Sequence, residues 1–83
     1  MSEEELQQIE ARVNLAQKGI WKFYLEGRDH TSGSNFIMTG IGTERENDLE
    51  IIGATEMDYD FIANAKQDIP NLIAEIRRLK NQE

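Results

Sequence analysis

One histidine, 16 carboxylates and no cysteine set what chemistry this chain can attempt. His30 stands in Gly27-Arg28-Asp29-His30-Thr31-Ser32-Gly33-Ser34, where Asp29 beside an imidazole could form an acid–base pair. The surrounding glycines and hydroxyls are ordinary turn formers, so the residues read as a polar loop with a solvated histidine. No serine occupies a nucleophile-elbow pattern, and with no thiol in the chain the conventional triads are absent. Asp58 and Asp60 bracket Tyr59, and Glu44, Glu46 and Asp48 alternate along a charged connection. Neither run has metal-set spacing, and the second lacks the glycine and terminal glutamate of a calcium loop. Gly40-Ile41-Gly42 is a single GxG without the third glycine or following helix of a phosphate cradle. No catalytic residue, metal ligand or cofactor is expected.

Binding is the better-supplied option. Trp21, Phe23, Tyr24, Phe36 and Phe61 are needed mainly to fill a core, but they could also form a stacking wall for a planar base. Phe61, Asn64, Ala65 and Asp68 fall at i, i+3, i+4 and i+7 on one helical face. Asn64 on that face is either buried and hydrogen-bonded or presented to a ligand, whereas Asp68 has a capping role available. Arg28 is the loop residue best suited to phosphate, because a planar guanidinium offers two parallel donors. Trp21, Tyr24, Arg28, Phe61 and Asn64 are therefore the candidate ligand-binding residues.

The elements that must position them follow from hydrophobic spacing. Ser2 and Glu5 form a capping box, and Leu6, Ile9, Val13, Ala16 and Ile20 recur at steps of three and four. This predicts a helix from about Glu3 to Lys18, stopped by Gly19. The period then changes to two, with Trp21, Phe23 and Leu25 opposed to Lys22, Tyr24 and Glu26. A second strand is predicted over Asn35 to Ile41 and a third over Leu49 to Ala54, ending near Gly53. Thr55 and Asp58 repeat the capping pattern before a helix to about Gln67. Asp68 and Pro70 then suggest a fresh start, with Pro70 in the first turn of a last helix reaching Lys80. The expected fold is one α+β domain over residues 1–83, in the order αβββαα, with helices covering one face of a three-stranded antiparallel sheet.

Nine basic against 16 acidic residues leave a net charge of −7, which repels phosphate backbones and anionic lipid. Nucleic-acid and membrane partners are not expected. The start Met1-Ser2-Glu3-Glu4-Glu5 lacks a signal-peptide pattern, and no apolar run approaches the ~20 residues of a bilayer span. The expected location is the cytoplasm. An 83-residue chain without disulfides has a marginal core, so self-association into a homo-oligomer is the remaining way to bury more apolar surface.

Two elements resemble a family of small, mostly phage and prophage proteins that includes Ead-like phage early proteins. The first, A-x-K-G-P-W, stands here as Ala16-Gln17-Lys18-Gly19-Ile20-Trp21. The second, D-A-x-F-I-A-x-A-R-x-D-I-P-x-L-L-A-E-I, runs from Asp58 to Ile76, matching at Phe61, Ile62, Ala63, Ala65, Asp68, Ile69, Pro70 and Leu72. Ile20 replaces the proline, Tyr59 a small residue, Lys66 an arginine and Ile73 a leucine. The resemblance implies accessory phage biology in the host cytoplasm, where such proteins counter host defences by gripping a host protein or trapping a signalling nucleotide. The expectation is a non-enzymatic homo-oligomer that sequesters a small nucleotide-type molecule in an intersubunit pocket. The alternative is a protein-interaction module that inhibits a host protein.

Overall fold

The computed structural model describes residues 1–31 and 33–82. Ser32, part of the polar loop noted above, lies outside the described residues. The fold is α+β, with two α-helices and a two-stranded antiparallel sheet.

Helix α1 spans Glu3–Leu15 and opens on the expected capping box. The Glu5 N–H donates to Ser2 Oγ at 3.1 Å, and the Ser2 N–H donates to the Glu5 carboxylate at 3.2 Å. The helix closes earlier than its spacing predicts. Ala16 is extended, and its N–H reaches back to the carbonyls of Arg12 and Val13. Gly19 is used in the corner that follows instead of at the helix end. It has φ +87°, and a Cβ there would lie 2.6 Å from Gly40 Cα. Only glycine combines that conformation with so close a backbone approach.

Strands β1 (Trp21–Tyr24) and β2 (Phe36–Thr39) pair antiparallel, with Phe23 opposite Ile37 and Tyr24 opposite Phe36. Alternation works as expected. Phe23, Ile37 and Thr39 are buried, while Lys22 and Met38 pair on the outer face. The third strand is not formed among the described residues. Leu49 exchanges two backbone hydrogen bonds with Ile37, at 2.8 and 2.9 Å, and the pairing stops at that isolated bridge. Two residues later the Ile51 N–H is taken by the Tyr59 hydroxyl at 2.8 Å, and Ile52–Gly53 turn the chain away. A competing side-chain acceptor thus ends the ladder that the apolar run would otherwise extend.

Helix α2 spans Glu56–Lys80 without a break, starting from a Thr55–Asp58 capping box. The predicted restart at Asp68 is overturned: Asp68 is an exposed mid-helix residue, and Pro70 lies inside the helix. Proline supplies no N–H to the Lys66 carbonyl, which is ordinarily unfavourable. Packing on both sides of it offsets that cost. Tyr59 and Ala63 bury against the sheet, and Ile73 buries against α1.

The layering also differs from the expected one. Among the described elements α1 packs on α2 alone, and the sheet packs on the first half of α2. The chain is long and narrow as a result, 51 × 28 × 19 Å. The sheet-side core is Phe23, Ile37, Tyr59 and Ala63, with the Phe23 and Tyr59 rings stacked at 5.2 Å. At the other end Leu6, fully buried, lines an apolar hollow together with Ile69, Ile73 and Ile76. Arg77 fastens this seam between Glu3 and Glu10, with both ion pairs at 2.8 Å. No described helix is long and apolar enough to cross a membrane.

Candidate interaction surface on the second helix

An α-helix turns about 100° per residue, so Phe61 lies roughly opposite Tyr59 and Ala63, the residues that face the sheet. Trp21 is on the sheet side of α2. Its indole N–H donates to the Gln17 carbonyl at 2.8 Å, and Lys66 Nζ lies 5.7 Å from its ring centre. Tyr24 is on the outer sheet face, stacked on Phe36 at 5.3 Å. Arg28 is held by Asp29 at 2.8 Å, with Glu56 at 3.9 Å and the Phe23 ring centre at 5.8 Å. Within one protomer, therefore, Trp21 and Tyr24 do not converge on Phe61 and Asn64, and Arg28 reaches the Glu56–Asp60 flank of α2 without lining their hollow.

Phe61 and Asn64 do sit together, on the open side of α2. They line a hollow of about 330 Å³ with Asp60, Ala65, Asp68, Ile69 and Leu72. The Asn64 amide is directed back along the helix, donating to the Asp60 carbonyl at 2.8 Å and to the Asp60 carboxylate at 3.3 Å. Phe61 is also a wall of a second hollow of about 460 Å³, completed by Ile51, Ile52, Gly53, Ala54, Asp58 and Ile62. The ring thus stands as a ridge between two concave surfaces. It is 75% exposed, in line with Met57 one turn before it (82%) and Leu72 three turns after it (60%). Ile52, wholly exposed in its turn, extends the same apolar face.

Phe61, Ala65, Ile69 and Leu72 make the face apolar, with Asp58 and Asp60 toward its edges and Asp68 between Phe61 and Leu72. Asp58, Asp60 and Asp68 border the hollows, and no lysine or arginine lines either one. Such a surface suits a partner that brings apolar side chains and a cationic rim. Sequence spacing marks Phe61 and Asn64, but it places Leu72 and Leu79 on the same core stripe as Ile69, Ile73 and Ile76. In the structure the stripe divides. Ile73 turns into the seam with α1, while Leu72 and Leu79 remain largely exposed. The register of two antiparallel helices decides this split, and hydrophobic spacing within one helix does not carry that information.

His30 is the other departure. It is not a solvated loop residue, because its side chain is only 16% exposed. Backbone bridging of Glu26 to His30 closes the turn and sets the ring edge-on to Phe36 at 4.8 Å, with Nδ1 3.3 Å from the Glu26 carboxylate. Among the described residues no group of His, Cys, Asp and Glu is arranged to hold a metal ion. Comparison with protein-family models, with characterised proteins and with solved structures found no match to this chain.

Proposed function

We propose that this protein is a non-catalytic interaction module that docks another protein chain on the open face of α2. The observation that carries this reading is the row of exposed large apolar side chains at Ile52, Met57, Phe61 and Leu72. Scattered single exposures are normal on any surface, but large apolar side chains gathered on one helix face among acidic ones have the composition of a binding surface. The resemblance to Ead-like phage early proteins gives the module a setting, that of an accessory protein acting on a host defence component. A photo-crosslinking residue at position 61 tests the reading in cells, with one at position 22 on the outer sheet face as control. One defined protein adduct at 61 and none at 22 is the expected result. Equal adducts at both, or none at either, would count against docking.

A second reading is sequestration of a small nucleotide-type molecule. The observation in its favour is the Phe61 ring, open to a flat ligand beside the Asn64 amide. Among the described residues no cation lines the hollows, so phosphate would need Arg28 to swing in from the Glu56–Asp60 flank or a basic residue from a second subunit, which would also have to supply Trp21 or Tyr24. A ligand that prefers the folded state raises the melting temperature, so a panel of cyclic and linear nucleotides at saturating concentration tests this reading. A panel without any shift removes it.

A further inference from the structure

We infer that the chain occupying this face is a second copy of the same protein, with the two α2 helices paired antiparallel about a two-fold axis. This rests on the reading of the face as a docking surface and names its occupant. Three features of the molecule point the same way.

The first is area. The accessible surface of the protein is 6059 Å² for a mass of 9.6 kDa. A folded monomer of that mass exposes about 5,100 Å², so roughly 1,000 Å² is in excess. A standard interface removes about 800 Å² from each partner, which is close to that surplus. The radius of gyration agrees, at 15.3 Å against about 12 Å for a compact chain of this length.

The second is charge. The open side of α2 bears Asp58, Asp60 and Asp68 in its first half, and of the basic residues in its last turn Arg77 faces α1 whereas Arg78, paired within the helix to Glu75, lies on the Asp60 flank. An antiparallel pair sets each acidic half beside the other copy's basic end, and it also opposes the two helix dipoles. Asp60 and Arg78 lie about five turns apart and so share one flank of the helix. In the pair, one copy's Arg78 lies beside the other's Asp60. A parallel pair would place acid beside acid and base beside base.

The third is self-complementary shape. Leu72 and Leu79, both exposed, lie on the same side of α2 as Phe61, so a two-fold operation about the helix middle sets each copy's Phe61 between the other's Leu72 and Leu79. The middle of α2, Glu56–Lys80, falls at Asp68. The axis therefore passes near two Asp68 carboxylates, whose mutual repulsion weakens the pair.

Sedimentation equilibrium of the full chain from about 1 to about 500 µM, a range that spans ordinary dimer affinities, is the test. The wild type is expected to dimerise, and Phe61→Asp to weaken the dimer at least about tenfold while leaving the circular dichroism spectrum intact. Asp68→Asn is expected to tighten it several-fold, a gain that loss of folding cannot imitate. Asp60→Arg should weaken the dimer, and adding Arg78→Asp should restore it. A wild-type monomer at the highest concentration overturns self-pairing and leaves the docking face to a different chain. A dimer indifferent to Phe61→Asp overturns both the pairing and the face. Restoration failing in the charge-swapped double variant overturns the antiparallel arrangement.

Discussion

The side-chain amide of Gln67 closes both backbone hydrogen-bonding groups of Trp21. Its oxygen accepts the Trp21 N–H at 2.9 Å, and its nitrogen donates to the Trp21 carbonyl at 3.0 Å. A residue of α2 thus takes the place of a neighbouring strand at the outer edge of β1. Exposed strand edges invite pairing with other chains, and this contact covers one end of that edge. The same nitrogen also donates to the Ala63 carbonyl at 3.0 Å, which fixes the rotamer from within the helix.

Gln67→Ala leaves a half-buried N–H and carbonyl without their partner. The expected cost is about 1–3 kcal/mol, read as a lower urea midpoint at unchanged slope. Gln67→Glu keeps the acceptor for the Trp21 N–H but sets a second acceptor against the Trp21 and Ala63 carbonyls. It should be no better than alanine. A midpoint that moves in neither variant would show that α2 does not stand in for a strand.

Pro70→Ala should stabilise the protein. Proline inside a helix is about 3 kcal/mol less favourable than alanine. Part of that returns to the wild type, because proline also restricts the unfolded chain by about 0.4–1 kcal/mol. A net gain of about 2 kcal/mol is expected once residue 70 can donate to the Lys66 carbonyl. The sign is diagnostic. If Asp68 and Pro70 began a separate helix, proline would occupy its favoured first turn and alanine would be neutral or worse.

This proline also shows how far the chain can be read without its fold. Capping boxes at Ser2–Glu5 and Thr55–Asp58 are local in sequence, so both helix starts were legible. Alternation at Trp21–Tyr24 and Phe36–Thr39 likewise gave two strands and their faces. What escaped was non-local. Asp68-Ile69-Pro70 has every local mark of a helix start, and burial of Ala63 and Ile73 on either side overrides it. The run Leu49–Ala54 has strand composition, but the Tyr59 hydroxyl claims the Ile51 N–H and Ile51 O lies 3.3 Å from the same hydroxyl. Of the five candidate site residues, Phe61 and Asn64 share a helix face and were legible as a pair. Trp21 and Tyr24 belong to other surfaces and Arg28 to the Glu56–Asp60 flank of α2, which only the packing of the sheet on α2 determines.

Docking of α1 should depend on Leu6 far more than on Arg77. Leu6 is fully buried where α1 packs on α2, and truncating such a residue to alanine costs about 2–5 kcal/mol. Arg77 makes the more conspicuous contacts, to Glu3 and Glu10, but these are solvent-accessible ion pairs whose attraction water and salt largely offset. Amide hydrogen exchange across residues 3–15 separates the two. Leu6→Ala should abolish protection there, whereas Arg77→Met should leave most of it. Equal loss in both variants would transfer the seam from packing to charge.

Stability should fall in acid, and the sign follows from three carboxylates. The Ser2 backbone N–H and hydroxyl hold Glu5 below the usual glutamate range. The Arg28 guanidinium, aided by the Leu25 N–H, does the same for Asp29, and the Arg78 guanidinium does so for Glu75. In each case the folded protein favours the ionised form more than the unfolded chain does, so the unfolded chain binds more protons as pH drops. The contribution is therefore complete above the ordinary carboxylate range and is lost as pH falls through the lowered values. The net charge of −7 acts in the opposite direction, since protonation relieves repulsion in the compact state. That repulsion is spread over the surface and is screened by salt, whereas the three bonds act at hydrogen-bond distance, so the bonds should prevail at moderate ionic strength. Urea midpoints taken at low protein concentration, where self-association does not contribute, should be level near neutral pH and decline below the carboxylate range. Removing the Glu75–Arg78 pair by Glu75→Gln should make that decline shallower. A midpoint that rises on acidification would mean that diffuse repulsion outweighs these contacts.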